Sequence, residues 1–207
     1  MIAIVDLGLG NIGSVVNMFR RIGVEVEVTD AQDVVASSAG MVLPGVGAFD
    51  RGADALTRTG LRETIIDRVA AGVPLLGICL GMQLLARSSE EGSLPGLGLV
   101  AADVRRLPLD GAPAVRVPHM GWNEVQVCRD TPLIPSDAGV RFYFVHSYAM
   151  VCDDDDDVLG RTIHGGPFAS VVQKGSVVGA QFHPEKSHSF GMSFLEAWSG
   201  AAVEARS

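Results

Sequence analysis

Cysteine is scarce in this chain: three among 207 residues, Cys79, Cys128 and Cys152. An odd number at wide spacing builds neither a disulfide framework nor a zinc site with its paired ligands, so each sulfur is judged alone. Basic residues are also short, 16 against 24 acidic ones, which leaves a net charge of -8 and a pI near 5.0. There is no basic stripe to displace counterions from a phosphate backbone, which argues against nucleic acid as a partner. No apolar run approaches the roughly 20 residues that span a bilayer. The opening "MIAIVDLG" has no basic region ahead of its apolar residues, so neither a membrane segment nor a secretory leader is expected, and a soluble cytoplasmic protein is. No repeat or linker divides the sequence. Its length suits one domain over 1–207, and its 47% hydrophobic content suits a substantial core.

What is there is an alternation of elements. "MIAIVDL" reads as a buried strand, followed by a glycine-rich turn and an amphipathic helix over Ile12 to Ile22. "VEVEVTD" alternates and reads as a half-exposed second strand. "GMVLPGVGAF" predicts a third strand that gives way to a loop at Pro44, because proline and two glycines do not continue it. Helices are predicted around Asp50 to Thr57 and Leu61 to Ala71, a strand over "VPLLGI", and a helix in "LGMQLLARS" directly after Cys79. This order implies a mostly parallel sheet covered on both faces. From about Ala101 the pattern changes to short extended runs, "DVRRL", "AVRVP", "WNEVQVC", "RFYFVHSYAMV", "FASVVQ" and "SVVGAQFH", before a last helix from Ser187 to about Trp198. The acidic run Asp153 to Asp157 reads as a solvated loop tip.

Two glycine motifs compete for function. "GLGNIG", Gly8 to Gly13, fits G-x-G-x-x-G, follows a strand and opens a helix, with Asp30 after the second strand; read alone, it suggests a dinucleotide-binding module. The same glycines also suit a plain tight turn. "GICLG" has the form of the nucleophile elbow G-x-S-x-G with cysteine in place of serine. Gly77 and Gly81 would clear space around Cys79, the helix opening at Leu80 would favour its thiolate, and the Leu80 N–H would be free for an oxyanion. The loop "PGVGAF" follows another parallel strand and should lie at the same sheet end, where N–H groups at Val46 or Gly47 would join Leu80.

A cysteine nucleophile needs a base, which can lie far off in sequence. Among five histidines, His119, His146, His164 and His188 read as structural, interfacial, turn or surface residues. His183 differs, because in "AQFHPEKS" it stands two residues before Glu185, and in extended backbone i and i+2 share a face. Pro184 biases His183 toward that conformation. Cys128 and Cys152 are assigned no chemistry. Trp122 in "PHMGWN" fits either an exposed anchor or a core side chain.

Taken together, "GICLGMQ" and "HPE" resemble the class I glutamine amidotransferases. With "PGVGAF", "PHMGWN", "FYFVHSY" and "QFHPEKS" added, the chain resembles the glutaminase subunits of imidazole glycerol phosphate synthase over nearly its whole length. The resemblance implies an α/β three-layer, flavodoxin-like fold with a mixed, mostly parallel central sheet and helices on both faces. It implies that Cys79 attacks the glutamine side-chain amide, that His183 serves as base and then acid, and that Glu185 orients His183. It further implies that Gln83, Glu91, Ser147 and Tyr148 hold L-glutamine, and that no cofactor or metal takes part. Ammonia would pass to a cyclase subunit, a (β/α)8 barrel in a heterodimer, with Trp122 and Lys186 at the interface and "GLGN" facing the cyclase. Two positions depart from the family's habit: leucine at Leu7 or Leu9 where tyrosine is usual, and His188 where glutamine is common.

Overall fold

In the computed structural model, which describes residues 1–108, 115–135 and 139–204, six helices and thirteen strands are formed among the described residues. The first half runs β1 (Ile2–Val5), α1 (Ile12–Arg21), β2 (Val26–Thr29), α2 (Gln32–Ser37), β3 (Gly40–Gly45), α3 (Phe49–Thr59), α4 (Leu61–Ala70), β4 (Leu75–Cys79) and α5 (Leu80–Leu84). Strands then dominate: β5 (Ser88–Ser89), β6 (Ala102–Arg106), β7 (His119–Glu124), β8 (Gln126–Val127), β9 (Arg141–His146) and β10 (Tyr148–Cys152). A 3-10 turn at Asp155–Asp157 precedes β11 (Val158–His164), β12 (Gly166–Lys174) and β13 (Val177–Ala180). A second 3-10 turn, Pro184–Lys186, leads into α6 (His188–Glu204).

Alternation along the strands decides the layering. Ile2 and Ile4 of β1 pack into one apolar cluster with Val15, Met18 and Phe19 of α1 and Phe194, Leu195 and Trp198 of α6. Ala3 and Val5 point the other way, into a cluster with Val35 of α2, Phe49 and Leu56 of α3, and Leu61 and Ile65 of α4. A strand buried on both faces does this because successive side chains leave the sheet on opposite sides. The result is the three-layer α/β arrangement, helices on both faces of one mixed sheet. Its order is β2-β1-β3-β4-β13-β12-β10-β6-β5, with β11 and β8 branching from β12 and a separate β7-β9 pair. The five strands from β2 to β13 are mutually parallel. Their carboxyl ends bring Gly45, Cys79 and the segment after Ala180 to one edge, the usual ligand side of such sheets.

Several boundaries differ from the sequence reading for physical reasons. Pro44 does not end β3: it pairs with Ile78 of β4, and the β1 ladder has already stopped at Ile4 and Val42, so the missing proline N–H has no partner to lose. The helix after Cys79 has only five residues, because the chain turns back into β5. "RFYFVHSYAMV" is two strands in different sheets, β9 and β10, broken at Ser147. "WNEVQVC" is likewise split into β7 and β8. The run "AVRVP" begins at Ala114, outside the described residues, and Val115 to Pro118 form no strand. Strand β11 escaped prediction because Gly160 interrupts its pattern at a register irregularity, where a Cβ would meet Val125 Cγ1 at 2.7 Å. The acidic run is exposed through Asp156, but Asp157 is buried and its carboxylate pairs with Lys174 Nζ at 3.0 Å. Among the described residues no helix is long and apolar enough to cross a membrane.

Glycine substitutions separate packing from turn geometry. At Gly81 a Cβ would overlap the Leu43 carbonyl, backbone that cannot move without shifting β3. Gly81→Ala should therefore lower stability by about 3 kcal/mol, read from the urea midpoint. Gly13 sits in α1 with no contact tighter than Asn11 Oδ1 at 3.6 Å. Gly13→Ala should raise stability by about 0.5–1 kcal/mol in the same assay.

Candidate active site

Cys79 is the last residue of β4 and stands immediately ahead of α5, with φ 54 and ψ -107. A non-glycine residue at positive φ is strained, and such strain gathers where a side chain must be aimed. Strict alternation would send Cys79 to the α3 side; instead it follows Ile78 into the α1 and α6 cluster. The flanking glycines make this turn possible. A Cβ on Gly77 would stand 2.6 Å from the Gly81 carbonyl oxygen, so strand and helix meet backbone to backbone. Cys79 is 6% exposed. Its thiol donates to the Val145 carbonyl at 4.0 Å, and Gln181 Nε2 donates to it at 3.8 Å.

Opposite the elbow, His183 and Glu185 come together, with Nδ1 to Oε1 at 2.8 Å. The pair forms for a different reason from the one the sequence suggested. His183 is extended, with φ -102 and ψ 97, but Glu185 lies in the 3-10 turn Pro184–Lys186, which folds its carboxylate back onto the ring. A knot of hydrogen bonds holds this turn: His183 N–H donates to the Tyr143 carbonyl at 2.9 Å, Tyr143 N–H to Ser187 Oγ at 3.0 Å, and Ser187 Oγ to the His183 carbonyl at 2.6 Å.

Because the carboxylate accepts from Nδ1, the neutral ring presents Nε2 as its acceptor. Nε2 and Glu185 Oε2 are buried with no partner in hydrogen-bond geometry, yet the Cys79 sulfur is near enough to act on the ring's charge. Burial alone would push the His183 pKa down; its interactions with Cys79 and then Glu185 outweigh that and raise it to about 9.

A cleft of about 500 Å³ opens beside the sulfur, lined by Cys79, Val46, Gly47, Leu80, Gln83, Glu91, His146, Ser147 and Tyr148 among others. Every residue expected to supply an oxyanion donor or to hold substrate therefore borders one space. Gly47 has φ 106, which glycine alone tolerates readily. Glu91 Oε2 accepts from the Phe49 N–H at 2.8 Å, which fixes its carboxylate. Gln83 is buried, and its Nε2 donates to the Tyr148 carbonyl at 3.0 Å and to Gln181 Oε1 at 3.2 Å. Sequence reasoning missed Gln181. It directly follows β13, where the chain bends, and its amide reaches the sulfur only through that tertiary placement.

The "GLGNIG" loop borders a second space of about 20 Å³ beside His183 and Glu185, room for a water-sized molecule and none for a pyrophosphate. On the outer face, Trp122 is 39% exposed and stacks on His188, with centroids 5.4 Å apart and planes at 6°. Lys186 Nζ stands 5.8 Å from the Tyr143 ring centroid, and Tyr143 is edge-on to Trp122, so the two expected interface residues share one patch. The other cysteines stay apart from the site: Cys128 is exposed, and burial followed by nearby acids pushes the Cys152 thiol up to about 11.

Comparison with known proteins gives the family. The family model described as glutamine amidotransferase class-I matches residues 3–198. The imidazole glycerol phosphate synthase subunit HisH 2 of Methanococcus maripaludis is 44% identical over 200 residues, 95% of this chain and 97% of that protein. The HisH subunit of Bdellovibrio bacteriovorus is 44% identical over 202 residues, 96% of this chain and 99% of that one. A crystal structure of a glutamine amidotransferase superposes with a TM-score of 0.74 at 21% identity, over 98% of each chain, and shares the fold. This chain belongs to the class-I glutamine amidotransferase family and, within it, to the HisH subunits of imidazole glycerol phosphate synthase.

Proposed function

We propose that the chain is the glutaminase subunit of imidazole glycerol phosphate synthase, serving histidine biosynthesis through a Cys79–His183–Glu185 triad. The observation that carries the reading is the strained Cys79 elbow facing a buried histidine whose other nitrogen is held by Glu185 at 2.8 Å. Glutamine enters the cleft with its α-ammonium toward Glu91 and its side-chain amide against the sulfur. His183, favoured in its protonated form up to about pH 9, already carries on Nε2 the proton taken from Cys79, and the sulfur adds to the amide carbon. Negative charge then develops on the carbonyl oxygen, where N–H groups of Leu80 and of Val46 or Gly47 receive it. His183 gives its proton to the amine, the C–N bond breaks, and ammonia leaves a thioester on Cys79. Water, deprotonated by His183, attacks that thioester, and glutamate departs as the thiol is restored.

Glu185 stabilises the imidazolium in both halves and holds its tautomer. The relatives are named as subunits, and the Trp122, Tyr143, Lys186 and His188 patch supports a docking face for a cyclase partner, a (β/α)8 barrel that takes up the ammonia. Flat, stacked aromatics beside a cation are the composition of interface anchors.

Two outcomes are expected. In the complex co-expressed with its cyclase, Cys79→Ala should reduce glutamate release by about 10³-fold or more; activity within tenfold of wild type would remove Cys79 from the role of nucleophile. The second concerns pH. His183 is raised from 6.5 to about 9, so the stability it contributes is complete below pH 6.5 and disappears as pH climbs through about 9. The urea midpoint should fall across that window, by up to about 3 kcal/mol in stability, and fall less in Glu185→Gln.

A further inference from the structure

A line of hydrogen bonds crosses the molecule from β7 to the nucleophile, through residues outside the triad. Asn123 Nδ2 meets His119 Nε2 at 3.1 Å, and His119 Nδ1 meets His146 Nε2 at 3.0 Å. His146 Nδ1 meets the Tyr148 carbonyl at 2.8 Å, which also accepts from Gln83 Nε2 at 3.0 Å. Gln83 Nε2 continues to Gln181 Oε1 at 3.2 Å, and Gln181 Nε2 reaches Cys79 Sγ at 3.8 Å.

Backbone groups fix the direction of the histidine section. The Tyr148 carbonyl can only accept, so His146 carries its proton on Nδ1 and its Nε2 accepts from His119 Nδ1. At the other end Asn123 Nδ2 also donates to the Ile163 carbonyl at 2.9 Å while its Oδ1 accepts from the Glu124 N–H at 2.9 Å, so the amide is not reversed. His119 Nε2 is therefore an acceptor too. Both rings fit only as neutral Nδ1–H tautomers; a second proton on either would set donor against donor. Burial holds both to the neutral form, with His146 pushed down to about 3 and His119 to about 4. The other rings add to this: His164, stacked 4.3 Å from His119, acts on both, and His183 acts on His146. Among the described residues no group of three or more His, Cys, Asp or Glu side chains is arranged to hold a metal.

The line's start is informative. His119 and Asn123 lie on the inner face of β7, and the residues between them that point outward are the exposed Met120 and Trp122. We propose that Asn123, His119, His146 and Gln181 are positioning residues that tie the Cys79 sulfur and the glutamine-holding segment at Tyr148 to strand β7. The proposal rests on the glutaminase reading, and it makes a strand with an exposed aromatic outer face a mechanical part of the catalytic cleft.

The test has two arms on the complex with its cyclase. Long-range ¹H–¹⁵N spectra of ¹⁵N-histidine protein should show His119 and His146 protonated at Nδ1 and bare at Nε2 from pH 6 to 8. Either ring titrating in that range, or protonated at Nε2, overturns the line. This arm needs no turnover, so it is decided even if the wild-type complex releases no glutamate, a result that would instead sink the glutaminase reading. In the kinetic arm, His119→Phe keeps ring volume and leaves His146 Nε2 without its donor, while His119→Asn retains a donor at the Nδ1 position. Loss of kcat/KM of roughly tenfold in His119→Phe, with most of it recovered in His119→Asn, is expected, and a similar roughly tenfold loss in Gln181→Leu. If folded His119→Phe and Gln181→Leu both stay within twofold of wild type, the proposal fails.

Discussion

The contact on which the site depends is the meeting of α5 with the strands beneath it, backbone against backbone. Gly81 lies on the Leu43 carbonyl and Gly77 lies under the Gly81 carbonyl, with no room for a Cβ at either position. Only at that separation can the chain reverse from β4 into a helix within one residue, and that residue is Cys79 at positive φ. The strain is sustained because strand pairing on both sides of β4 over-determines the turn. A five-residue helix carries little macrodipole beyond its first turn, so what it offers at Cys79 is chiefly its leading N–H groups.

The second half of the site is held from the other sheet. Ser187 links Tyr143 of β9 to the His183 carbonyl, and the His183 N–H returns to Tyr143. His183 is thus fixed to β9, and β9 pairs with β7 in register His119 to His146 and Trp122 to Tyr143. The outer rings of this ribbon form the aromatic patch, and the inner rings form the histidine line. Cys79 ends β4 and His183 follows β13, its neighbour in the same sheet, while the β7-β9 pair grips His183 from the side through Tyr143.

Much of this was legible as pattern. Alternating strands and amphipathic helices predicted the layered α/β fold, and the small residues around Cys79 predicted a turn that packing alone does not need. Errors fell where local rules met tertiary context. Pro44 looked like a strand end, yet its neighbour on one side had already stopped, so the lost donor cost nothing. Strand β11 went unread, and Gly160 within it sits at a bulge under Val125. Trp122 read equally well as core or surface, and the fold put it outside.

Sequence alone determined the chemistry-bearing residue types and their order along the chain, because elbow glycines and the His-Pro-Glu segment are local features with local reasons. It also determined which strand faces are apolar, since that depends only on period. The tertiary structure decided that the His183 ring, already marked in the sequence by Glu185, has a sulfur for a neighbour, and which two histidines are locked neutral against each other. The other four rings carry no such mark, and what distinguishes them is burial and the hydrogen-bond partner at each nitrogen, supplied by strands far apart in the chain.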